Sequence, residues 1–190
     1  MTTLTTTAAA LQDLTGDYQI DPSHSTLGFT ARHAMVTKVR GAFNDFEGTV
    51  RIDADDPSRS SAKVVIQATS IDTRNADRDA HLRSDDFFAM DAHPTITFES
   101  TSAEKIDDDT YRVAGDLTIR GVTRPVSIDF ELSGIAEDPW GNARLGFEGS
   151  TTLNRKDFGL SWNTPLATGG VLVGEKVNLE FDLSLVKATD

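Results

Sequence analysis

The chain has 190 residues, 38% hydrophobic and 25% charged, with ten Phe and no Cys. That composition supports one sizeable core and excludes global disorder, disulfides, thiolate metal centres, Fe–S clusters and covalently attached haem. Asp and Glu number 30 against 18 Lys and Arg, a formal net charge of −12, which opposes any broad electrostatic grip on nucleic acid or on an anionic membrane surface.

Residues 1–15 are rich in Thr and Ala but carry no basic n-region and no continuous apolar stretch. They read as a flexible N-terminal tail, not a signal peptide, ahead of one barrel domain over 16–190. No segment approaches the roughly 20 apolar residues a membrane-spanning helix needs, so no integral membrane segment is expected and the expected location is cytoplasmic.

Along the chain the dominant signal is period-two alternation, which places the apolar set on one face of a strand. Eight stretches carry it: 25–33, 36–52, 61–71, 95–104, 110–120, 124–136, 143–155 and 177–185. In the last, Val177, Leu179, Phe181, Leu183 and Leu185 alternate with Asn178, Glu180, Asp182 and Ser184. A short segment at 17–20 adds a further edge if it pairs. Within 36–52 the apolar parity changes between Phe43 and Phe46, which predicts a bulge or bend there. The spacing predicts one short helix over 75–84, continuing through 85–90 and ending before His93-Pro94. Strands with one apolar face each bury it by closing into a barrel or by stacking two sheets, and a meander of eight closes more naturally.

An eight-stranded barrel is filled by its own side chains or holds one small ligand, depending on how bulky the inward residues are. Gly115 shares the face of Val113 and Leu117, Gly149 that of Phe147 and Thr151, and Ala31 lies between Phe29 and His33. Such small residues either fit the taper of a packed barrel or leave a cavity; their recurrence on several strands favours the cavity.

Several motifs in order carry a resemblance. They are Ile20-Asp21-Pro22-Ser23-His24-Ser25, the run 29–33, Gly41-Ala42-Phe43, the run 78–88 (RDAHLRSDDFF), His93-Pro94-Thr95-Ile96, the run 115–123 (GDLTIRGVT) and the run 154–159 (NRKDFG). Together, from about residue 18 onward, they resemble the YceI family, described as polyisoprenoid-binding. The resemblance implies an all-β fold, an extended eight-stranded antiparallel lipocalin-like barrel with one short capping helix near 76–84. It also implies a tunnel that binds, stores or transports a long-chain polyisoprenoid or similar amphiphilic lipid. Family members that work in the bacterial periplasm begin with a signal peptide, and this sequence departs by lacking one.

The expected ligand-binding set is Phe29, His33, Phe43, Ile66, Leu82, Phe87, Phe98, Leu117, Ile119, Phe130, Phe147, Arg155 and Phe158, with no catalytic residue, metal or cofactor. An apolar tunnel holds a prenyl chain through roughly 0.8 kcal/mol per buried CH₂-sized group. His33 shares the parity of Leu27, Phe29 and Ala31, and is either a head-group donor at the mouth or an inward histidine satisfied by a neighbouring strand. Arg155 and Lys156 are adjacent; on a strand at most one faces inward, either meeting a pyrophosphate or staying a solvated surface charge.

Two other function classes stay open. A lipid-modifying enzyme has His33, Asp79 and His81 to invoke, yet no serine elbow, paired-histidine metal motif or glycine-rich phosphate loop is present. Asp79, His81 and His93 equally read as capping and surface pairing. A barrel that binds no ligand and contacts another protein through its loops is the third reading. A homodimer is compatible with each.

Overall fold

A computed structural model describes residues 14–189. The described strands are β1 (Gly16–Ile20), β2 (Thr26–His33), β3 (Thr37–Phe43), β4 (Phe46–Ile52), β5 (Ser61–Gln67), β6 (Ile71–Asp72), β7 (Thr95–Lys105), β8 (Thr110–Ile119), β9 (Val122–Glu137), β10 (Ala143–Asn154) and β11 (Val173–Lys187), with one α-helix, α1 (Ala76–Arg83).

These segments make eight long strands closed into a ring. β1 and β2 are one strand broken by the turn Pro22–His24, where Asp21 accepts a hydrogen bond from Ser23 N. β3 and β4 are a second, broken at Asn44-Asp45, which is the bend expected between Phe43 and Phe46. β1 pairs with β4, and β2 with β3. From there the chain meanders antiparallel, β4 to β5, β7, β8, β9, β10 and β11. β11 closes the ring by pairing through 177–182 with β2 and through 185–187 with β1. Full closure removes the exposed edges that would otherwise template aggregation.

Residues near the ends of the lumen are packed tight. Ile71, Ile96, Leu117 and Phe158 cluster under α1, while Leu14, Tyr18, Ile20 and Leu145 cluster at the opposite end. The packed chain starts just before the expected end of the tail at residue 15: Leu14 is buried, and Tyr18 Oη donates to its carbonyl. The remainder of that tail, 1–13, lies outside the described residues. Two strand and helix boundaries also move: β5 ends at Gln67, where a 3₁₀ turn over Ala68–Ser70 takes over, and α1 stops at Arg83, leaving 85–90 as turns.

The inward glycines have a role their spacing alone does not show. A Cβ at Gly41 would lie 2.3 Å from the Phe29 ring, at Gly149 2.6 Å from the Phe130 ring, and at Gly115 2.5 Å from the Phe98 ring. Each glycine is a seat for a phenylalanine from the neighbouring strand, so the ring lies against the wall instead of across the lumen. At Gly115 the same Cβ also meets the Glu99 carbonyl oxygen at 2.5 Å, which a ring rotation does not relieve. Gly115→Ala is therefore expected to destabilise by about 1–3 kcal/mol, seen as a lower urea midpoint at unchanged m-value.

A candidate ligand-binding lumen

A cavity of about 370 Å³ runs inside the barrel from the turns at 53–60 and 105–111 to the cap formed by α1 and the segment 158–173. That volume falls within the range of small-molecule sites. Its wall is overwhelmingly apolar. Phe29, Phe98, Phe130, Phe147 and Phe181 face it and are only half-buried, although they point inward. An inward phenylalanine in a filled core is buried; these keep accessible surface because no side chain fills the space they face.

Of the residues expected to bind, Phe29, Phe43, Ile66, Leu82, Phe87, Phe98, Leu117, Ile119, Phe130, Phe147, Arg155 and Phe158 all lie on this wall. His33 does not. Its parity matches Phe29 and Ala31, but β2 runs past the rim, and His33, paired with Thr37 and Val173 at the strand's last position, is exposed. The expected set omits Leu14, Leu160 and Val173, which also line the space, and Tyr111, whose parity already puts it on the inward face with Gly115. Tyr111 and Val173 sit in or beside strands whose alternation was visible; Leu14 and Leu160 sit in segments without a period.

Arg155 is 5% exposed and works differently from a pyrophosphate ligand. Instead of a strand, it begins a 3₁₀ turn, Arg155–Phe158, capped by Asn154. Its guanidinium donates to four backbone carbonyls: Nε to Gly174, Nη1 to Leu160 and Trp162, and Nη2 to Val173. Four of its five N–H groups are thereby used to hold the loop that roofs the lumen. Lys156 points out and pairs with Glu175 at 2.6 Å.

The cap is fastened by polar contacts around an aromatic centre. Asn75 caps α1, and Asp79 Oδ1 accepts from Thr73 N at 2.9 Å and Thr73 Oγ1 at 2.6 Å. Asp79 therefore orients the loop before the helix. Arg83 donates to the Thr69 and Ile71 carbonyls. The Trp162 ring lies 4.6 Å from His81 and 5.4 Å from Phe87, joining the helix to the roofing loop.

One cluster brings Asp, Ser and His together, at Asp21, Ser23 and His24. Both Ser23 Oγ (3.0 Å) and Asp21 Oδ2 (2.8 Å) meet the same ring nitrogen, Nδ1. A nucleophile–base relay needs its two partners on opposite nitrogens, so this arrangement is a turn cap. Among the described residues no three His, Asp or Glu side chains converge as a metal site.

Asp21 instead anchors the barrel end. The Arg144 guanidinium, 2.9 Å away, and then the Ser23 hydroxyl hold its carboxyl well below the usual carboxylate range. Asp138, hydrogen-bonded first by Asn142 N and also by Arg144, is lowered to about 2. Both folded values lie below the unfolded value near 4. Their stabilisation is therefore complete above that value and is lost as pH falls through the folded ones. Arg144→Met is expected to lower the urea midpoint at pH 7, with the gap to the parent chain narrowing as pH is taken below 3.

The fold and lumen define a class: a closed antiparallel barrel with an apolar interior, of the lipocalin-like kind. The chain belongs to the family of the YceI-like domain, whose model matches residues 18–185. It is 45% identical over 151 residues to UPF0312 protein PA0423 of Pseudomonas aeruginosa, covering 78% of each chain. Its fold matches that of Burkholderia cenocepacia BcnA with a TM-score of 0.75 at 24% identity, covering 90% of this chain and 99% of that one. It also matches a polyisoprenoid binding domain from Saccharophagus degradans, with a TM-score of 0.66 at 17% identity over 90% and 98% of the two chains.

Proposed function

We propose that this protein binds and carries a long-chain polyisoprenoid or similar amphiphilic lipid inside the barrel. The observation that carries the reading is the inward Phe set left half-buried around a continuous apolar space. Apolar chain is the cargo such a wall favours, since each CH₂-sized group buried is worth roughly 0.8 kcal/mol. Membership of the YceI-like family and the fold shared with the Saccharophagus degradans domain support the same class of ligand.

The polar members of the wall give the lipid a direction. Arg155, at the cap end, spends its N–H groups on the carbonyls of the roof, whereas Asp53, Ser60, Lys105 and Tyr111 sit at the turn end of the lumen. Asp53 is engaged by Arg59, and Ser60 Oγ by Asp53 N. Lys105 Nζ, 6.0 Å from the Tyr111 ring centre, makes no ion pair among the described residues, and with the Tyr111 hydroxyl is the pair placed to meet a polar head group. The tail then lies toward the cap.

Native mass spectrometry of protein purified without added lipid, followed by solvent extraction, tests the reading. A retained mass matching an extracted prenyl or acyl lipid is the expected result. Reproducible absence of lipid, together with no uptake of added polyprenyl alcohol or phosphate, contradicts it.

A further inference from the structure

The whole-chain charge conceals a polarity that the strand registers expose. On the outer face of the β2–β3 hairpin Arg32 stands directly opposite Lys38, and Arg40 opposite Thr30. Like charges facing each other across a ladder destabilise it unless something neutralises them. Among the described residues no carboxylate reaches ion-pair distance of these three; Arg32 donates to the Val36 carbonyl and no more. The turns at the other end of the barrel are acidic, carrying Asp53, Asp55, Asp56, Asp107, Asp108 and Asp109.

The tip of the same hairpin is apolar and turned to solvent. Met35 is 60% exposed and Val36 74%. Ala34 and Met35 hold φ of +50° and +63°, a region that favours Gly or Asn, so apolar side chains occupy a turn that polar or small residues would fit better. Beside the tip runs 160–174, 15 residues without a charge in a chain that is 25% charged. The two are joined: Ala34 N donates to the Leu172 carbonyl, and Met35 covers Gly170. Together they form an uncharged knob, rimmed by three cations without carboxylate partners, at the end of the lumen where the lipid tail lies.

We propose that this knob docks the protein on an anionic lipid bilayer, with Met35 and Val36 entering the headgroup region and Arg32, Lys38 and Arg40 facing acidic lipid heads. Apolar side chains at an interface combined with cations near the surface are the two terms that hold peripheral proteins on such membranes. The acidic turns at 53–56 and 107–109 face away from the negative surface, while Asp77, Asp85, Asp86 and Asp91 on the cap side oppose the approach, so the contact rests on the knob and its three cations and not on the overall charge of −12. The purpose of the docking, exchange of a lipid under the cap, rests on the carrier reading; the docking itself does not.

Co-sedimentation with vesicles of phosphatidylglycerol mixed equally with phosphatidylcholine tests it. The parent chain is expected to bind these, to bind pure phosphatidylcholine about tenfold more weakly, and to release as salt is raised. Arg32→Gln/Lys38→Gln/Arg40→Gln is expected to weaken binding about tenfold or more. Met35→Ser/Val36→Ser should weaken it at every salt concentration, with lipid content and urea midpoint unchanged in both variants. Trp140→Ser, at an exposed tryptophan on the acidic end, should bind as the parent does. The proposal fails if mixed vesicles are ignored, if binding survives both variant sets, if Trp140→Ser abolishes it, or if light scattering shows the knob pairing with a second copy instead. Extracted lipid without vesicle binding removes the docking and leaves the carrier reading; vesicle binding by an empty barrel does the reverse.

Discussion

Arg155→Met is expected to lower the unfolding free energy by about 3 kcal/mol and to loosen the roof of the lumen. The side chain is nearly inaccessible, and its guanidinium is the common donor to the carbonyls of Leu160, Trp162, Val173 and Gly174. A methionine of similar reach keeps the apolar stem and removes all four hydrogen bonds. Charge-assisted bonds of this kind are worth about 1.5–3 kcal/mol each, and water entering the loosened loop recovers part of that. Arg155→Lys does not rescue the loss, because one ammonium cannot present the planar fork that reaches four carbonyls on both sides. Thermal unfolding of the three proteins, with hydrogen exchange over 159–174, reads both the stability and the loop. A Met variant as stable and as protected as the parent would contradict this role.

Ala31→Trp is expected to cost little stability while cutting lipid retention about tenfold or more. Ala31 faces the lumen between Phe29 and the rim, opposite Val39 and Val177. In a filled core an added indole overpacks and destabilises by about 1–3 kcal/mol. Here it enters space that the ligand uses, and displacing only two CH₂-sized groups removes about 1.6 kcal/mol of binding, slightly more than tenfold. Lipid recovered per mole of protein and the urea midpoint, measured on the same preparation, separate the cases. Loss of lipid at a constant midpoint supports a hollow barrel, and a large drop in midpoint indicates a packed one. The contrast with Gly115→Ala is useful, since that smaller change strikes a backbone carbonyl and a seated ring.

The barrel was legible because alternation such as Val177 to Leu185 reports one face at a time, and each strand needs only its own residues to show it. What depends on a partner strand was not legible. Gly115 and Gly149 read as space-makers from their own strands, and only the register shows Phe98 and Phe130 lying over them, as Phe29 lies over Gly41. His33 has the right parity and the wrong height, because period two fixes the face and says nothing of where the rim falls. Arg155 and Lys156 looked like strand neighbours, but Asn154 caps a 3₁₀ turn there and the guanidinium turns inward under the loop. The stretch 160–174 has no period because Arg155, Asn163 and short turns hold it in place of a ladder. The same limit hid the charge polarity: a sum over 190 residues carries no geometry, and pairing Arg32 with Lys38 requires the hairpin.

Whether the lumen is a ligand site or an imperfect core is read from what lies along the barrel axis. A crystal structure of protein purified from cells without added lipid tests it most directly. Continuous elongated density along the barrel axis, flanked by Phe29, Phe98 and Phe130 and with its polar end at Lys105 and Tyr111, is the expected result. Side chains repacked across the axis, leaving no room for a chain, would contradict it.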